Sequence, residues 1–214
     1  MPKECKQAIK SLMHVKQKQT GKSKGQTCAD GRPMRATTKP EDAASPATFL
    51  ESVLLTAVTE AEERCDVMMA DMPNAFVQTE LEKHLGQKKI IMKLHGAVAK
   101  MMTQCAPKIC KPCIVFENGQ KAMHVELLKA SCGSLMSAPL FHKKSLKDLT
   151  LQGFELNPCN PCVVNKMMSG KQMTVVWHVD DLKKSHVNKR VNNKFLEWLK
   201  SKCEDKEIGI VKAT

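Results

Sequence analysis

The sequence predicts an α+β fold, helices packed on a mostly antiparallel sheet, and three observations predict it. Apolar residues recur at helical spacing in three stretches, near 50–61, 135–149 and 191–199. Short apolar runs of β type lie between them: VMMADMPNAFV, KKIIMKLHG, CVVNKMM and QMTVVWHV. Their order is helix, strand, strand, helix, strand pair, helix, with no internal repeat or sustained heptad.

Residues 1–47 are basic, polar and broken by Gly and Pro, as in GKSKGQTCADGRPMR, and read as loop or extended hairpin. Ser45-Pro46 is a good N-cap and N1 pair, so a helix is predicted from there to Arg64, with Leu50, Val53, Leu54, Ala57, Val58 and Ala61 on its inward face. VMMADMPNAFV carries one acid, Asp71, and Pro73 ends regular pairing. KKIIMKLHG (88–96) reads as a strand, followed by a Pro/Cys-rich stretch at 105–113. Gly133 marks a turn into a helix with Leu135, Leu140, Phe141, Leu146 and Leu149 inward and Pro139 in its first turn. CVVNKMM and QMTVVWHV flank Ser169-Gly170-Lys171 as a hairpin whose second strand ends at Asp180 and Asp181. The last helix keeps Val191, Phe195, Trp198 and Leu199 in step.

A chain of 214 residues with 42% hydrophobic content can bury a real core and is not a disordered chain. Its net charge of +12 points to a polyanionic partner, nucleic acid first and an acidic membrane surface second. No apolar run approaches the roughly 20 residues that span a bilayer, and MPKECKQAIK lacks a signal peptide's apolar core, so an intracellular, reducing compartment is expected. The ten cysteines are then expected to be mostly free thiols. There is no tyrosine.

Asp180 and Asp181, adjacent at the tip of a buried strand, repel each other and cost desolvation unless a cation compensates them. If the strand bearing Asp71 lies beside theirs, three carboxylates meet. Oxygen-only ligation of that kind favours magnesium or manganese over zinc. Two such ions stabilise the attacking and leaving oxygens of an in-line phosphoryl transfer. The plainer alternative is an exposed acidic turn balanced by Lys183 and Lys184.

ADMPNAFVQTEL resembles the first catalytic motif of copia-type retrotransposon reverse transcriptases, and WHVDDL resembles their YVDD box. Between them, KASCGSLMSAPLFHKKS resembles the ALYG-type motif and the helix after it, in the right order. Upstream, GKSKGQTCADGRPMRATTKPEDAASP resembles the finger region of a divergent branch, and GFELNPCNPCVVNK the segment before the YVDD strand, so the likeness covers nearly the whole chain. It implies an RNA-directed DNA polymerase fragment in which Asp71, Asp180 and Asp181 are the catalytic acids and the ligands of two Mg2+ or Mn2+ ions. Phe76, five residues after Asp71, falls where the family places the ring that excludes a ribose 2′-hydroxyl. Cys132, Gly133 and Ser134 would lie against template and incoming base, and Arg32 and Arg35 would contact triphosphate or template.

The same resemblance implies a fingers-like part at 1–64 and roughly 82–125 and a palm-like part at 65–81 and 126–214, with no thumb, RNase H or integrase region. It implies an RNA/DNA primer-template and a deoxynucleoside triphosphate as partners, and a cytoplasmic location, with virus-like particles as one setting. A palm without a thumb is expected to hold primer-template poorly, so a catalytically weak or inactive nucleic-acid-binding remnant is the alternative. The chain departs from the family pattern where tyrosine is replaced by His178 before the Asp-Asp pair and by Cys132 before Gly133; Cys159 also stands where related sequences often carry tyrosine.

Two Cys-x-x-Cys pairs, Cys110/Cys113 and Cys159/Cys162, offer a rival reading as a structural zinc site in a nucleic-acid-binding module. Their separation exceeds ordinary ribbon spacing, and small core or surface cysteines explain them as well. His142 and His178 are the histidines near the acids, and His178 reads as a packing substitute for an aromatic ring. The methionines, Met68, Met69, Met101 and Met102 among them, read as core filler.

Overall fold

A computed structural model describes residues 8–17, 19, 21–81, 89–202 and 209–212, the last four as main chain. In chain order the strands are β1 (Ile9–Gln17), β2 (Ser23–Ala29), β3 (Asp66–Asp71), β4 (Ile91–His95), β5 (Ile114–Glu117), β6 (Gln120–Glu126), β7 (Glu155–Leu156), β8 (Val163–Met168), β9 (Lys171–His178), β10 (Asp181–His186) and β11 (Gly209–Lys212). The longer helices are α1 (Leu50–Glu62), α2 (Ala97–Cys105), α3 (Ser137–Leu151) and α4 (Lys189–Lys202). The fold is α+β, and its two sheets are mostly antiparallel.

The chain divides into two compact units, Met1–Ala43 with Glu80–Ser137, and Ala44–Thr79 with Ala138–Thr214. Relative to the sequence expectation the boundaries shift twice. The helix at 50–62 belongs to the second unit, because it packs on the strand that follows the acids. Residues 126–137 belong to the first, where Ala29 N–H bonds to the Cys132 carbonyl.

In the first unit the strand order is β2-β1-β4-β6-β5. Within residues 1–47, read as loop or extended hairpin, Ile9–Gln17 and Ser23–Ala29 pair antiparallel as β1 and β2. Ile9, Met92, Leu94 and Met123 bury one face of this sheet with Ala29 and Cys110. Three elements here go beyond the sequence reading. AVAKMMTQC is the helix α2, and the stretch after it turns helical again at Pro107–Cys110 and Lys111–Cys113. β5 and β6 form a hairpin through Asn118-Gly119, both at positive φ (50° and 76°), which suits the right-handed twist of paired strands.

In the second unit the order is β11-β3-β10-β9-β8-β7. The predicted hairpin forms β8 and β9 around Ser169-Gly170, again at positive φ. One face is apolar: Ala70, Leu182, Val175, Trp177, Met173 and Val164 are almost fully buried. α3 covers it with Phe141 and Leu149, and α4 with Val191, Phe195 and Leu199. Burial of side chains of this size stabilises by about 1.5–3 kcal/mol each.

α1 departs from its predicted orientation. It begins at Leu50 after Phe49, without a side-chain cap from Ser45. Leu50, Leu54 and Val58, expected inward, are 68%, 58% and 56% exposed, whereas Glu60 is buried. The reason is an ion pair: Glu60 Oε2 lies 2.8 Å from Lys183 Nζ on β10, and the same ammonium donates to Thr56 Oγ1 at 3.1 Å. Leaving a half-buried lysine unpaired costs more than leaving leucines wet.

Candidate active site: acids brought together at the end of β3 and β10

The sequence reading ended the second hairpin strand at the aspartates and placed a helix next. Instead DLKKSH is a strand, β10, which lies between β9 and β3 and pairs with both. The strand of Asp71 therefore neighbours β10, not β9. Asp181 pairs directly with Asp71 across β10–β3 and with His178 across the β9–β10 turn.

The Met72 amide donates to the Asp180 carbonyl at 2.9 Å, which makes Met72–Asp180 a hydrogen-bonded pair and Asp71–Asp181 the adjacent non-hydrogen-bonded one. In such pairs the Cα atoms stand only about 4.5 Å apart and the side chains share a face. All three aspartates are exposed, and among the described residues none of them is ion-paired. Like charges directly opposed across strands destabilise the pairing.

The turn joining β9 to β10 is Val179-Asp180, and Val179 takes φ 56°. A β-branched residue in the left-handed region is strained, at a cost of about 1–3 kcal/mol. The ladders on either side hold it there, and the strain sits where two acids are presented.

The balancing lysines of the plainer reading are engaged elsewhere. Lys183, on the acids' face, is paired with Glu60. Lys184 is on the opposite face, 0% exposed, with its ammonium 4.8 Å from the Phe195 ring centre and donating to the Asn192 carbonyl. Asn192 in turn donates to Asp66 Oδ2 at 2.8 Å, tying α4 to the start of β3. Glu60 and Asn192, which hold the acid-bearing strands from either face, were not legible as site residues. Their partners are remote in sequence.

Phe76 is half-buried and meets the Phe141 ring edge-on, centroids 6.1 Å apart at 89°. His142 is buried, its Nε2 3.0 Å from the Pro161 carbonyl and its ring 5.5 Å from that of Trp177. His178 is exposed. These residues belong with the acids to the second unit.

Arg32, Arg35, Cys132, Gly133 and Ser134 belong to the first unit. Arg32 forms a two-pronged pair with Asp30, Nε–Oδ1 2.8 Å and Nη2–Oδ2 2.7 Å, and this guanidinium holds the Asp30 carboxyl down at about 2. Arg35 is exposed. Gly133, at φ 85°, lies so close to β2 that a Cβ would stand 2.1 Å from the Ala29 carbonyl oxygen. Ser134 is buried, its hydroxyl 3.7 Å from the Met34 sulfur.

The donor set at the strand end, three exposed carboxylates of like charge, suits a hard divalent cation. Among the described residues no three His, Cys, Asp or Glu side chains stand close enough together to enclose a metal. Cys110 and Cys113 lie in the first unit and Cys159 and Cys162 in the second. In each pair one thiol is buried and the other exposed, and all eight described cysteines are free thiols. No helix among the described residues is long and apolar enough to cross a membrane.

No protein-family model matches the chain, and no curated protein matches it significantly. Among solved structures it is similar to apo telomerase from Candida tropicalis truncated from its C-terminal domain, with a TM-score of 0.44 and 10% identity over 95% of this chain and 50% of that one. It is also similar to telomerase from Candida albicans in complex with a TWJ fragment of telomeric RNA, with a TM-score of 0.40 and 9% identity over 100% of this chain and 44% of that one. The chain spans about half the length of these structures.

Proposed function

We propose that this chain is the fingers and palm region of an RNA-directed DNA polymerase of copia type. It would join a primer 3′-hydroxyl to the α-phosphate of a deoxynucleoside triphosphate on an RNA template and release pyrophosphate. The observation that carries the reading is the direct pairing of Asp71 with Asp181, with Asp180 on the adjoining strained turn. Acids from two separated motifs thereby reach one strand end.

Asp71, Asp180 and Asp181 would hold two Mg2+ or Mn2+ ions. The chemistry those ions supply when bound is neutralisation of charge on the attacking and leaving oxygens. The chain's own part is placement. The β3–β10 ladder fixes the height of Asp71 against Asp181, and the Val179 turn fixes Asp180. Lys183 stays drawn to Glu60, so it does not neutralise the acids. Phe76, backed by Phe141, would exclude a 2′-hydroxyl. Arg32, Arg35, Cys132, Gly133 and Ser134 are the proposed nucleotide and template contacts, and a cytoplasmic location accompanies the reading.

Primer extension on an RNA template with Mg2+ tests this. Template-dependent addition that Asp180→Asn abolishes is expected. Extension surviving Asp180→Asn overturns the assignment. Binding of an RNA/DNA hybrid with no extension under any divalent ion selects the non-catalytic remnant instead.

A further inference from the structure

We propose that Cys28 and Cys132 form a reversible disulfide that fastens strand β2 to the loop before Gly133. This does not rest on the polymerase reading.

The two chain segments already run side by side. Ala29, next to Cys28, donates its amide to the Cys132 carbonyl at 2.7 Å. Two glycines seal the approach: a Cβ on Gly133 would meet the Ala29 carbonyl oxygen at 2.1 Å, and one on Gly31 would meet the Gly133 carbonyl oxygen at 2.2 Å. Cys28 is buried and Cys132 half-buried. Burial first, and the neighbouring Cys132 side chain second, push the Cys28 thiol up to about 11. Two free thiols on directly adjoining backbones, one of them reachable from solvent, are the arrangement a disulfide needs.

The chemistry balances with a low-molecular-weight disulfide such as oxidised glutathione as oxidant. The Cys132 thiolate attacks one glutathione sulfur, breaking its S–S bond, forming a mixed disulfide and releasing one glutathione thiolate. Cys28 then gives up its proton and attacks the Cys132 sulfur, releasing the second thiolate. The two protons end on two reduced glutathiones, so the protein loses two electrons and glutathione gains two.

The experiment treats the folded chain with oxidised glutathione, blocks remaining thiols and maps peptides by mass. The expected result is a linked peptide joining Cys28 to Cys132 with the loss of two hydrogens. Cys28→Ser should instead stop with glutathione held on Cys132, and Cys162→Ser should leave the link intact. Melting of wild-type protein before and after oxidation needs no variant, and an upward shift reversed by dithiothreitol is expected. A wild-type chain that stops at the mixed disulfide on Cys132, or that links only after unfolding in denaturant, overturns the proposal.

Discussion

Replacing Gly133 with alanine tests what this glycine is for. The family resemblance puts it against template and base, where a side chain would obstruct. The structure adds a cause internal to the fold. At φ 85° an L-residue carries the left-handed penalty, about 1–2 kcal/mol, and the new Cβ at 2.1 Å from the Ala29 carbonyl oxygen must push two backbones apart, a further ~1–3 kcal/mol. Gly119 is the control. It lies in the same unit at φ 76° with nothing within 4 Å of a Cβ, so Gly119→Ala carries the conformational penalty alone. For a unit of roughly 100 residues, 1 kcal/mol moves the melting midpoint by about 4–8 °C. Gly133→Ala should therefore melt about 4–24 °C below Gly119→Ala by circular dichroism, whereas Gly31, at φ −76° with a Cβ 2.2 Å from the Gly133 carbonyl oxygen, should show the steric part alone in Gly31→Ala. Midpoints for Gly133→Ala and Gly119→Ala within about 2 °C of each other, a small fraction of that range, would refute the steric argument. If hybrid binding alone suffered, the glycine would be there for the ligand.

Opposed carboxylates predict that Asp181→Asn raises the melting midpoint in EDTA by about 1–5 °C, since a like-charge pair costs about 0.2–1 kcal/mol. Magnesium at ten times its dissociation constant should stabilise wild type by about 1.4 kcal/mol and Asp71→Asn by much less, read as the shift in midpoint. Glu60→Gln leaves Lys183 without its acid in a site where the two side chains are only 10% and 16% exposed, and should cost about 3 kcal/mol in urea unfolding. Burial holds Cys162, and burial with the Cys132 contact holds Cys28, at about 11, well above the ordinary 9.0. Their thiolate populations at neutral pH are about a hundredfold lower, so iodoacetamide should label exposed Cys105, Cys113 and Cys159 first, with labelling of the buried pair accelerating as pH rises from 9 towards 11. Affinity for an RNA/DNA hybrid should fall roughly a thousandfold between about 50 and 200 mM salt if some six phosphates are contacted, and salt-independent binding would remove the electrostatic argument.

Periodicity made α3, α4 and the β8–β9 hairpin legible, because each turns one apolar face to a core. β10 was not legible. Asp181, Lys183, Lys184 and His186 carry no apolar alternation that marks a strand, and only the tertiary fold supplies Glu60 for Lys183 and the Phe195 ring with the Asn192 carbonyl for Lys184. His186 is likewise buried, one ring nitrogen taking the Asn188 amide and the other 3.1 Å from the Met168 carbonyl. The β5–β6 hairpin is a different kind of miss, since Asn118-Gly119 between two β-type runs is a strong turn signal that was passed over. For α1 the period was right and the direction wrong, because a buried cation outweighs an apolar stripe. At the site, the motif resemblance singled out the acids as candidates, but the neighbour relation between β3 and β10 is a property of the sheet.

That outward stripe on α1, with Phe49 beside it, has a colloidal consequence. Phe49, Leu50, Leu54, Leu55 and Val58 are all more than half exposed, enough apolar surface to make copies of the chain adhere. The net charge of +12 opposes that adhesion by mutual repulsion, and salt shortens its reach to about 8 Å at physiological ionic strength. Raising salt would therefore do two things to a sample at once: weaken any binding of nucleic acid to the basic surface and let the stripes meet. A binding curve taken against salt needs light scattering alongside it, so that loss of ligand is not mistaken for loss of monomer.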